Sequence, residues 1–253
     1  MKDFAADPSH PRYDSLFKRH ILEEAAEKGM LAGSALIAHG RGEAYDYLIG
    51  EQTIDCAMRA TKHALYHLKH AKNPVISVNG NTTALAGEDL LKLASMLNCP
   101  IEVNIFYRTP KRMQVLLNHL EEIKHENRLS VEILGASPDA RIPGLEGPRA
   151  KCCHSGIFSS DVILVPLEDG DRCEALVAMG KTVIVVDLNP LSRSAKTGSI
   201  TIVDEVSRVA KNLVDNFEAQ EEKLDFPFDN DINLRLALKH INETLIDLAS
   251  IID

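Results

Sequence analysis

The chain has 253 residues, of which 45% are hydrophobic and 26% are charged, and these values fit one large α/β domain with a sizeable core. Its formal net charge of -9 argues against general binding to nucleic acid, because affinity for a phosphate backbone needs a basic surface. The sequence shows no apolar leader and no run of roughly 20 apolar residues, and its five cysteines include no C-x-x-C pair, so we expect a cytoplasmic protein with reduced thiols and no membrane contact.

Helical and extended patterns alternate along the chain. We expect strands at residues 34–38, 74–78, 101–106, 131–134, 162–165, 182–186 and 199–203. We expect helices at about residues 13–28, 54–72, 87–97, 110–126 and 205–217, the fourth with Thr109 as its N-cap and proline in its first turn. Such alternation predicts right-handed βαβ units, and therefore an α/β fold with a mostly parallel sheet and helices on both faces.

Two segments depart from this alternation. Residues 135–160 form a long irregular connection rich in Pro, Gly and Arg, which is typical of a functional loop and suggests an active-site lid. We expect residues 1–217 to form the main domain and residues 218–253 to form a linker and a C-terminal helical extension. That last helix repeats apolar residues at spacings of four and three, so it packs either on the body or at a dimer interface.

Three fragments resemble known motifs but are rejected. Gly180-Lys181-Thr182 looks like the end of a P-loop, yet it precedes a strand instead of following one. Gly40-Arg41-Gly42 looks like the start of a dinucleotide fingerprint, yet the third glycine is missing. His63, His67 and His70 have a spacing that suits a metal, but no acidic ligand accompanies them.

The carboxyl ends of the predicted strands are where a ligand site is expected, since open parallel sheets bind ligands beyond those ends. Polar or charged segments follow five of them, at residues 38–44, 78–83, 104–109, 166–172 and 187–193. Arginines concentrate in predicted loops and at element ends, namely Arg12, Arg41, Arg108, Arg141, Arg149, Arg172 and Arg193. Because a guanidinium pairs with phosphate and carboxylate oxygens, arginines that converge on one cleft predict a polyanionic substrate.

Three of these strand ends offer specific chemistry. The glycines around Arg41 would let a phosphate approach the backbone, although an ordinary tight turn is the alternative. The amides of Asn79 and Asn81 suit a neutral or zwitterionic group, because they both donate and accept hydrogen bonds. Arg108 stands beside a predicted helix N-terminus, which is itself an anion site.

Together these segments resemble the archaeal phosphopantothenate synthetase family, also called 4-phosphopantoate:β-alanine ligases. The motifs that carry the resemblance are His10-Pro11-Arg12-Tyr13 with Arg19, and residues 37–44, 75–81, 106–109, 141–146, 166–172 and 187–194. The resemblance implies a Rossmann-like three-layer fold, a homodimer, and ATP-dependent joining of 4-phosphopantoate to β-alanine in coenzyme A biosynthesis, with release of AMP and diphosphate. The chain departs from the family at Cys173, where relatives usually carry Thr, and beyond residue 216.

The resemblance also implies residue roles. By matching position, the ATP contacts fall on Arg19, Arg41, Asp187, Leu188, Asn189, Arg193, Ser194, Glu205 and Val206. We assign catalysis to His39, Arg41, Asn79 and Asn81, with His39 as the group that takes a proton from the ammonium of β-alanine. We assign binding of the phosphorylated acid to Arg108, Arg141, Arg172, Glu168 and Asp169.

ATP chemistry of this kind implies a Mg²⁺ ion that bridges phosphate oxygens. The candidate ligands are Glu168, Asp169 and Asp171, although an acidic, solvated turn is the alternative interpretation. Two other classes of function stay open from the residues themselves. A phosphotransferase or nucleotide hydrolase would use the same arginine-lined strand ends, and a nucleotide-sensing dimer would use them without any chemistry.

Overall fold

A parallel sheet of six strands lies at the centre of the fold. The structure, a computed structural model, describes residues 4, 6–166, 169–219, 224 and 227–249. The strands are β1 (Pro74–Val78), β2 (Ile101–Val103), β3 (Ile133–Leu134), β4 (Ala140–Arg141), β5 (Lys151–Cys152), β6 (Val162–Pro166), β7 (Thr182–Val186) and β8 (Ile200–Ile202). The sheet has the order β3-β2-β1-β6-β7-β8 with every pairing parallel, while β4 and β5 form a separate antiparallel pair. The predicted α/β fold with a mostly parallel sheet is confirmed.

Helices surround this sheet. They are α1 (Tyr13–Glu27), α2 (Ser34–Leu48), α3 (Asp55–His70), α4 (Gly80–Leu97), α5 (Pro110–Glu126), α6 (Gly170–Ala178), α7 (Arg193–Thr197), α8 (Val206–Asp215) and α9 (Asn230–Ala249). The predictions for α1, α3, α5 and α8 are confirmed to within two residues at each end. The side chain of Thr109 accepts a hydrogen bond from the backbone N–H of Arg112, as expected of an N-cap.

Alternate strand residues face two separate cores, which makes the fold three-layered. Ile76 and Leu164 belong to one core, together with residues of α3, α4, α5 and α8. Val75 and Ile163 belong to the other, which α6 and the segment 135–160 cover. Because both faces are buried, the strands are continuous apolar runs without polar alternation. The Rossmann-like three-layer prediction is confirmed, since this is the doubly wound strand order.

The strand expected at residues 34–38 is wrong. These residues open α2, so Gly40-Arg41-Gly42 and His39 lie inside a helix and not in a loop after a strand. Leu36 and Ile37 are 40% and 70% exposed, so this apolar run is not a buried strand. A short apolar run does not distinguish strand from helix, and the two glycines lower helix propensity and are also typical of a turn.

The boundaries of other elements also differ from expectation. Helix α4 begins at Gly80, seven residues before the predicted start at residue 87, because the Asn79 side chain accepts from the backbone N–H of Thr82 and caps the helix there. Helix α6 begins at Gly170, where the sequence indicated a continuing loop, and Asp169 caps it by accepting from the N–H of Arg172. Strand β2 ends at Val103, three residues early.

The segment 135–160 is packed against the sheet. The buried carboxylate of Glu102 on β2 accepts the backbone N–H groups of Cys153 at 2.9 Å and Ile157 at 2.8 Å. The side chain of Asn104 donates to the carbonyl oxygens of Arg149 at 3.2 Å and Lys151 at 3.0 Å. In this structure the segment 135–160, which the sequence suggested as a lid, therefore packs against the sheet and covers one of its faces.

Helix α9 covers the edge of the sheet at β8. Asn230 accepts the N–H of Thr201 at 2.8 Å, and Asn233 donates to the carbonyl oxygen of Thr201 at 2.8 Å. These bonds satisfy backbone groups that an edge strand would otherwise expose. Of the predicted stripe on this helix, Leu234 and Ile241 are buried in the core, while Ile252 and the side chain of Leu248 lie outside the described residues. No helix in the described ranges has both the length and the apolar character to cross a membrane.

Candidate active site

A cavity of about 650 Å³ opens at the carboxyl ends of β1, β2, β7 and β8. Asn79 follows β1, Ile105 follows β2, Leu188 follows β7 and Glu205 follows β8, and all four line it. Helices α1 and α2 form the opposite wall. The winding of the sheet reverses between β1 and β6, and doubly wound folds bind their ligands beyond the strand ends at that point. The cavity thus lies where the strand ends predict a site.

On the α2 wall, a carboxylate holds one of the expected ATP residues. Glu43 lines the cavity, and the Nη2 of Arg19 donates to its two oxygens at 2.7 and 2.8 Å. This pairing raises the pKa of Arg19 above its ordinary value. Gly42 lies on the same wall, where a Cβ would stand 3.5 Å from the Cδ1 of Leu188, so α2 runs close to the turn that follows β7.

His39 lies on α2 with a half-buried imidazole that lines the cavity. Burial lowers its pKa, and the nearby carboxylates of Glu43 and Glu205 only partly oppose that effect. The ring is therefore uncharged at neutral pH, and one of its nitrogens accepts a hydrogen bond or a proton.

The end of β8 contributes a buried carboxylate to the cavity. Glu205 accepts the backbone N–H of Ser207 at 3.1 Å as the N-cap of α8, and the Nζ of Lys18 on α1 lies 2.8 Å from its Oε2. Burial opposes the charged form, but the ion pair with Lys18 and the hydrogen bonds hold the pKa of Glu205 below its usual range. Lys18 was not among the predicted residues, although it stands next to Arg19 in the sequence.

The turn after β7 is held together by its own side chains. Asp187 accepts the N–H of Asn189 at 2.9 Å and the hydroxyl of Ser192. Burial raises the pKa of Asp187, although these bonds and the nearby charge of Arg41 act in the opposite direction. Leu188 lines the cavity, whereas Arg41 is exposed on α2 outside the lining.

The two asparagines predicted to be catalytic lie at the start of α4, and both line the cavity. The Oδ1 of Asn79 accepts the N–H of Thr82 at 3.1 Å, so this amide caps the helix. The Nδ2 of Asn81 donates to the carbonyl oxygen of Ala35 at 3.0 Å and joins α4 to α2. The N-terminus of α4 is therefore fixed against the cavity wall.

Arg149 reaches the cavity from the segment 135–160. Its Nη1 donates to the Oδ2 of Asp169 at 2.6 Å, and its Nε donates to the Oδ1 of Asn104 at 3.3 Å. Burial opposes the charge on Asp169, but Arg149 holds the pKa of that carboxyl below its usual range. The sequence placed Arg149 among the loop arginines without giving it a role.

Two other arginines line the cavity and were not predicted. Arg112 on α5 donates to the carbonyl oxygens of Tyr107 at 2.6 Å and Met30 at 3.0 Å. Arg208 on α8 pairs with Asp46 and with Asp204, the latter at 2.6 Å. Both lie in predicted helices, where an arginine is usually a solvated residue, so no sequence pattern separates them from surface charges.

Other predicted residues lie outside the cavity lining. Arg108 donates to the carbonyl oxygen of Gly135. Arg141 is exposed on β4. Arg172 is fully buried and its Nη2 donates to the Oγ of Ser77 at 2.8 Å. Substrate contacts for these three arginines stay predictions.

The predicted acidic residues and the α7 residues lie beside one another at the start of α6. Arg193 pairs with Asp171 and Glu174, and Ser194 is buried. Glu168 lies outside the described residues. Across the ranges that the structure describes, no group of three or more His, Cys, Asp or Glu side chains is placed to hold a metal ion.

Comparison with known proteins gives a consistent result. The model of the phosphopantothenate/pantothenate synthetase family matches residues 56–244 of the chain. The chain is 49% identical to the 4-phosphopantoate--beta-alanine ligase of Thermococcus kodakarensis over 95% of this chain and 94% of that protein. It is 48% identical to the protein of that name from Thermococcus onnurineus over the same shares, and 44% identical to the one from Methanosarcina mazei over 99% of this chain and 98% of that protein.

Proposed function

Since the chain belongs to the phosphopantothenate/pantothenate synthetase family, we propose that it is an ATP-dependent ligase that joins 4-phosphopantoate to β-alanine and forms the 4'-phosphopantothenate of coenzyme A biosynthesis. The observation that carries this proposal is the near full-length similarity to three ligases of that name. The polar cavity at the strand ends gives the reaction a place on the fold.

The proposed reaction has two steps. The carboxylate of 4-phosphopantoate attacks the α-phosphorus of ATP, and diphosphate leaves, so the acid becomes an acyl-adenylate. The amine of β-alanine then attacks the acyl carbon, the bond to AMP breaks, and an amide forms. Both steps depend on holding reacting atoms in contact and on placing polar groups where charge develops.

ATP is proposed to lie along α2 and the ends of β7 and β8. Leu188, Glu205 and Val206 line this side of the cavity, and Arg19 reaches it through Glu43. Glu205 and Asp187 would accept hydrogen bonds from ribose or base, while Arg19 and Arg41 would supply positive charge to the phosphates. This arrangement leaves the side of the cavity beneath β1 and β2 for the acid.

His39 is proposed to take the proton that the ammonium of β-alanine loses before its attack. The imidazole lines the cavity and its lowered pKa keeps it neutral at pH 7, which is the form that a general base needs. Glu43, one turn along α2, would stabilise the imidazolium that results.

The proposed reaction uses Mg²⁺ that is bound to the phosphates of ATP. Asp169 and Asp171 each already face an arginine, so the described residues form no ready-made metal site. Mg²⁺ usually keeps several waters and takes one or two carboxylates besides substrate phosphates.

We also propose that the protein works as a homodimer. Large apolar side chains are exposed on α9, among them Ile232, Leu236, Leu245 and Ile246. Single exposed apolar residues are common, but several on one helix favour a covered surface. Light scattering on the purified protein would give a mass of one chain if this proposal is wrong.

Product analysis tests the proposed reaction. With ATP, Mg²⁺, 4-phosphopantoate and β-alanine, the ligase forms AMP, diphosphate and 4'-phosphopantothenate in equal amounts, and AMP formation stops when the acid is omitted. ADP as the product would establish phosphoryl transfer instead. Binding of ATP without turnover would establish a nucleotide sensor.

A further inference from the structure

Arg112 lines the cavity, and no acidic side chain among the described residues pairs with it. Its Nη1 and Nη2 donate to the carbonyl oxygens of Tyr107 and Met30. Its Nε is buried and has no hydrogen-bond partner among the described residues. Burial lowers the pKa of Arg112, and no described carboxylate acts in the opposite direction. The side chain of Arg112 is partly buried, and partial removal of a charge from water is costly unless an opposite charge accompanies it, so an anion in the cavity would stabilise this guanidinium.

The other cations that line the cavity in the described part of the chain are balanced. Lys18 faces Glu205, Arg149 faces Asp169, and Arg208 faces two aspartates. Arg112 differs from them in having only carbonyl oxygens as partners. An anion that enters the cavity would therefore gain the most electrostatic stabilisation beside Arg112.

The N-terminus of α4 lies beside this guanidinium. An added Cβ on Gly80 would stand 3.6 Å from the Nη2 of Arg112 and 2.7 Å from the carbonyl oxygen of Met30. The first N–H groups of a helix have no partner within it, and the dipole of an 18-residue helix favours an anion there. Gly80 and Asn81 line the cavity, so the helix end and the arginine face the same space.

Sheet order separates this anion site from the proposed nucleotide side. Arg112 follows β2, whereas Leu188 follows β7, and two strands lie between β2 and β7. At a strand spacing of roughly 4.8 Å, that separation is about 14 Å. The acid substrate carries its carboxylate and its phosphate at opposite ends. When the carboxylate meets the α-phosphorus of ATP, the phosphate must point away from the nucleotide.

We propose that Arg112 and the first turn of α4 bind the phosphate group of 4-phosphopantoate, with Arg149 as a second arginine in the lining of the same cavity. The site takes a phosphomonoester, and it sets the preference for the phosphorylated acid over free pantoate. This inference rests on the proposed function for the identity of the substrate. The residues proposed to contact ATP stay the same.

Calorimetric binding of 4-phosphopantoate in the absence of ATP tests the inference without turnover. Arg112→Gln should weaken this binding by at least about tenfold, because hydrogen bonds to a charged group are worth more than neutral ones. The matched control is Lys111→Gln, which removes the same charge from an exposed neighbour on α5 and should leave binding unchanged. Affinity for ATP should not change in either variant.

Free pantoate separates a phosphate contact from a general loss of structure. The wild-type chain should bind 4-phosphopantoate more tightly than pantoate, and Arg112→Gln should lose most of that difference. Equal affinity of Arg112→Gln and wild type for 4-phosphopantoate would overturn the inference, as would an equal loss for both acids. If Arg112→Gln does not fold, Arg112→Lys carries the same comparison. A wild-type chain that binds 4-phosphopantoate but forms no AMP would refute the proposed function and leave this inference standing.

Discussion

The guanidinium of Arg19 closes on the carboxylate of Glu43, with its Nη2 at 2.7 Å from Oε1 and 2.8 Å from Oε2. Arg19 comes from α1 and Glu43 from α2, so the pair joins the two helices that form the wall opposite the strand ends. Glu43 is largely buried while Arg19 is 40% exposed. The arginine therefore keeps an accessible side with which to meet a phosphate while Glu43 fixes its direction.

Arg19→Gln should raise the KM for ATP by about tenfold or more, because it removes charged hydrogen bonds to the phosphates. The KM for 4-phosphopantoate should stay close to that of the wild type. Steady-state kinetics with each substrate varied in turn measure both values. Lys28→Gln, which removes an exposed charge just beyond the other end of α1, is the control and should change neither. An equal rise in both KM values would show that Arg19 supports the cavity wall and does not contact ATP.

His39→Ala should slow amide formation by about 10²–10⁴-fold, which is the usual contribution of a general base. The first step should persist, so exchange of diphosphate into ATP, measured with 4-phosphopantoate present, should remain near the wild-type rate. The defect should shrink toward pH 10, where a primary amine loses its proton without help. His125→Ala, at an exposed histidine of α5, is the control. Loss of both steps to the same degree would give His39 a structural role.

The pH profile of the wild-type enzyme tests the same group. Burial lowers the pKa of His39 below its ordinary 6.5, so the neutral base is present above that value and disappears as the pH falls through the lowered pKa. Amide formation should therefore stay near its maximum down to pH 6.5 and fall only in more acid solution. A decline that begins well above pH 7 would contradict the assignment.

The strand ends that line the cavity could be predicted from the sequence, but the helices that form its other walls could not. Strands buried on both faces leave long apolar runs, and β6 and β7 were found because each run stops at polar residues. Helix α2 gave no such signal, since its Ala35 to Ala38 run is short and its glycines suggested a turn. His39 nevertheless reaches the cavity, because α2 lies across the strand ends.

Arg112 shows why some cavity residues stay hidden in a sequence. In the sequence, Arg112 is one of several charged residues near the start of a predicted helix. Its position in the cavity depends on the packing of α5 against Met30. Arg172 shows the opposite case, an arginine at a predicted strand end that folds into the core and donates to Ser77. The sequence gives the type of residue and its place on an element, but the direction of a long side chain is set by tertiary contacts.

Glu102→Gln should destabilise the protein by about 2–3 kcal/mol, because the two carboxylate oxygens accept one buried N–H group each and the NH₂ of an amide cannot accept the second. The loss should be local at first, since these bonds hold Cys153 and Ile157 to β2. Hydrogen exchange should speed up at those two amides, and thermal unfolding should show the lower stability. Glu132→Gln, an exposed substitution before β3, should leave both measurements unchanged. Unchanged exchange at Cys153 would show that the segment 135–160 is held by other contacts.

His63 should make the fold sensitive to acid. Its side chain is 3% exposed and packs 4.9 Å from the ring of Phe228. Burial, helped by His67 and Arg59, lowers the pKa of His63 to about 4. Because the folded pKa lies below the unfolded value of about 6.5, the neutral ring stabilises the fold above pH 6.5, and this contribution disappears as the pH falls toward 4.

Between those two pH values the free energy of unfolding should decrease by about 3 kcal/mol from this group alone. His63→Leu removes the titration while keeping an apolar contact with Phe228, so urea unfolding of this variant should depend less on pH across that window. His70→Leu makes the same change at an exposed position of α3 and should keep the wild-type dependence. Equal slopes for wild type and His63→Leu would show that other groups cause the acid sensitivity.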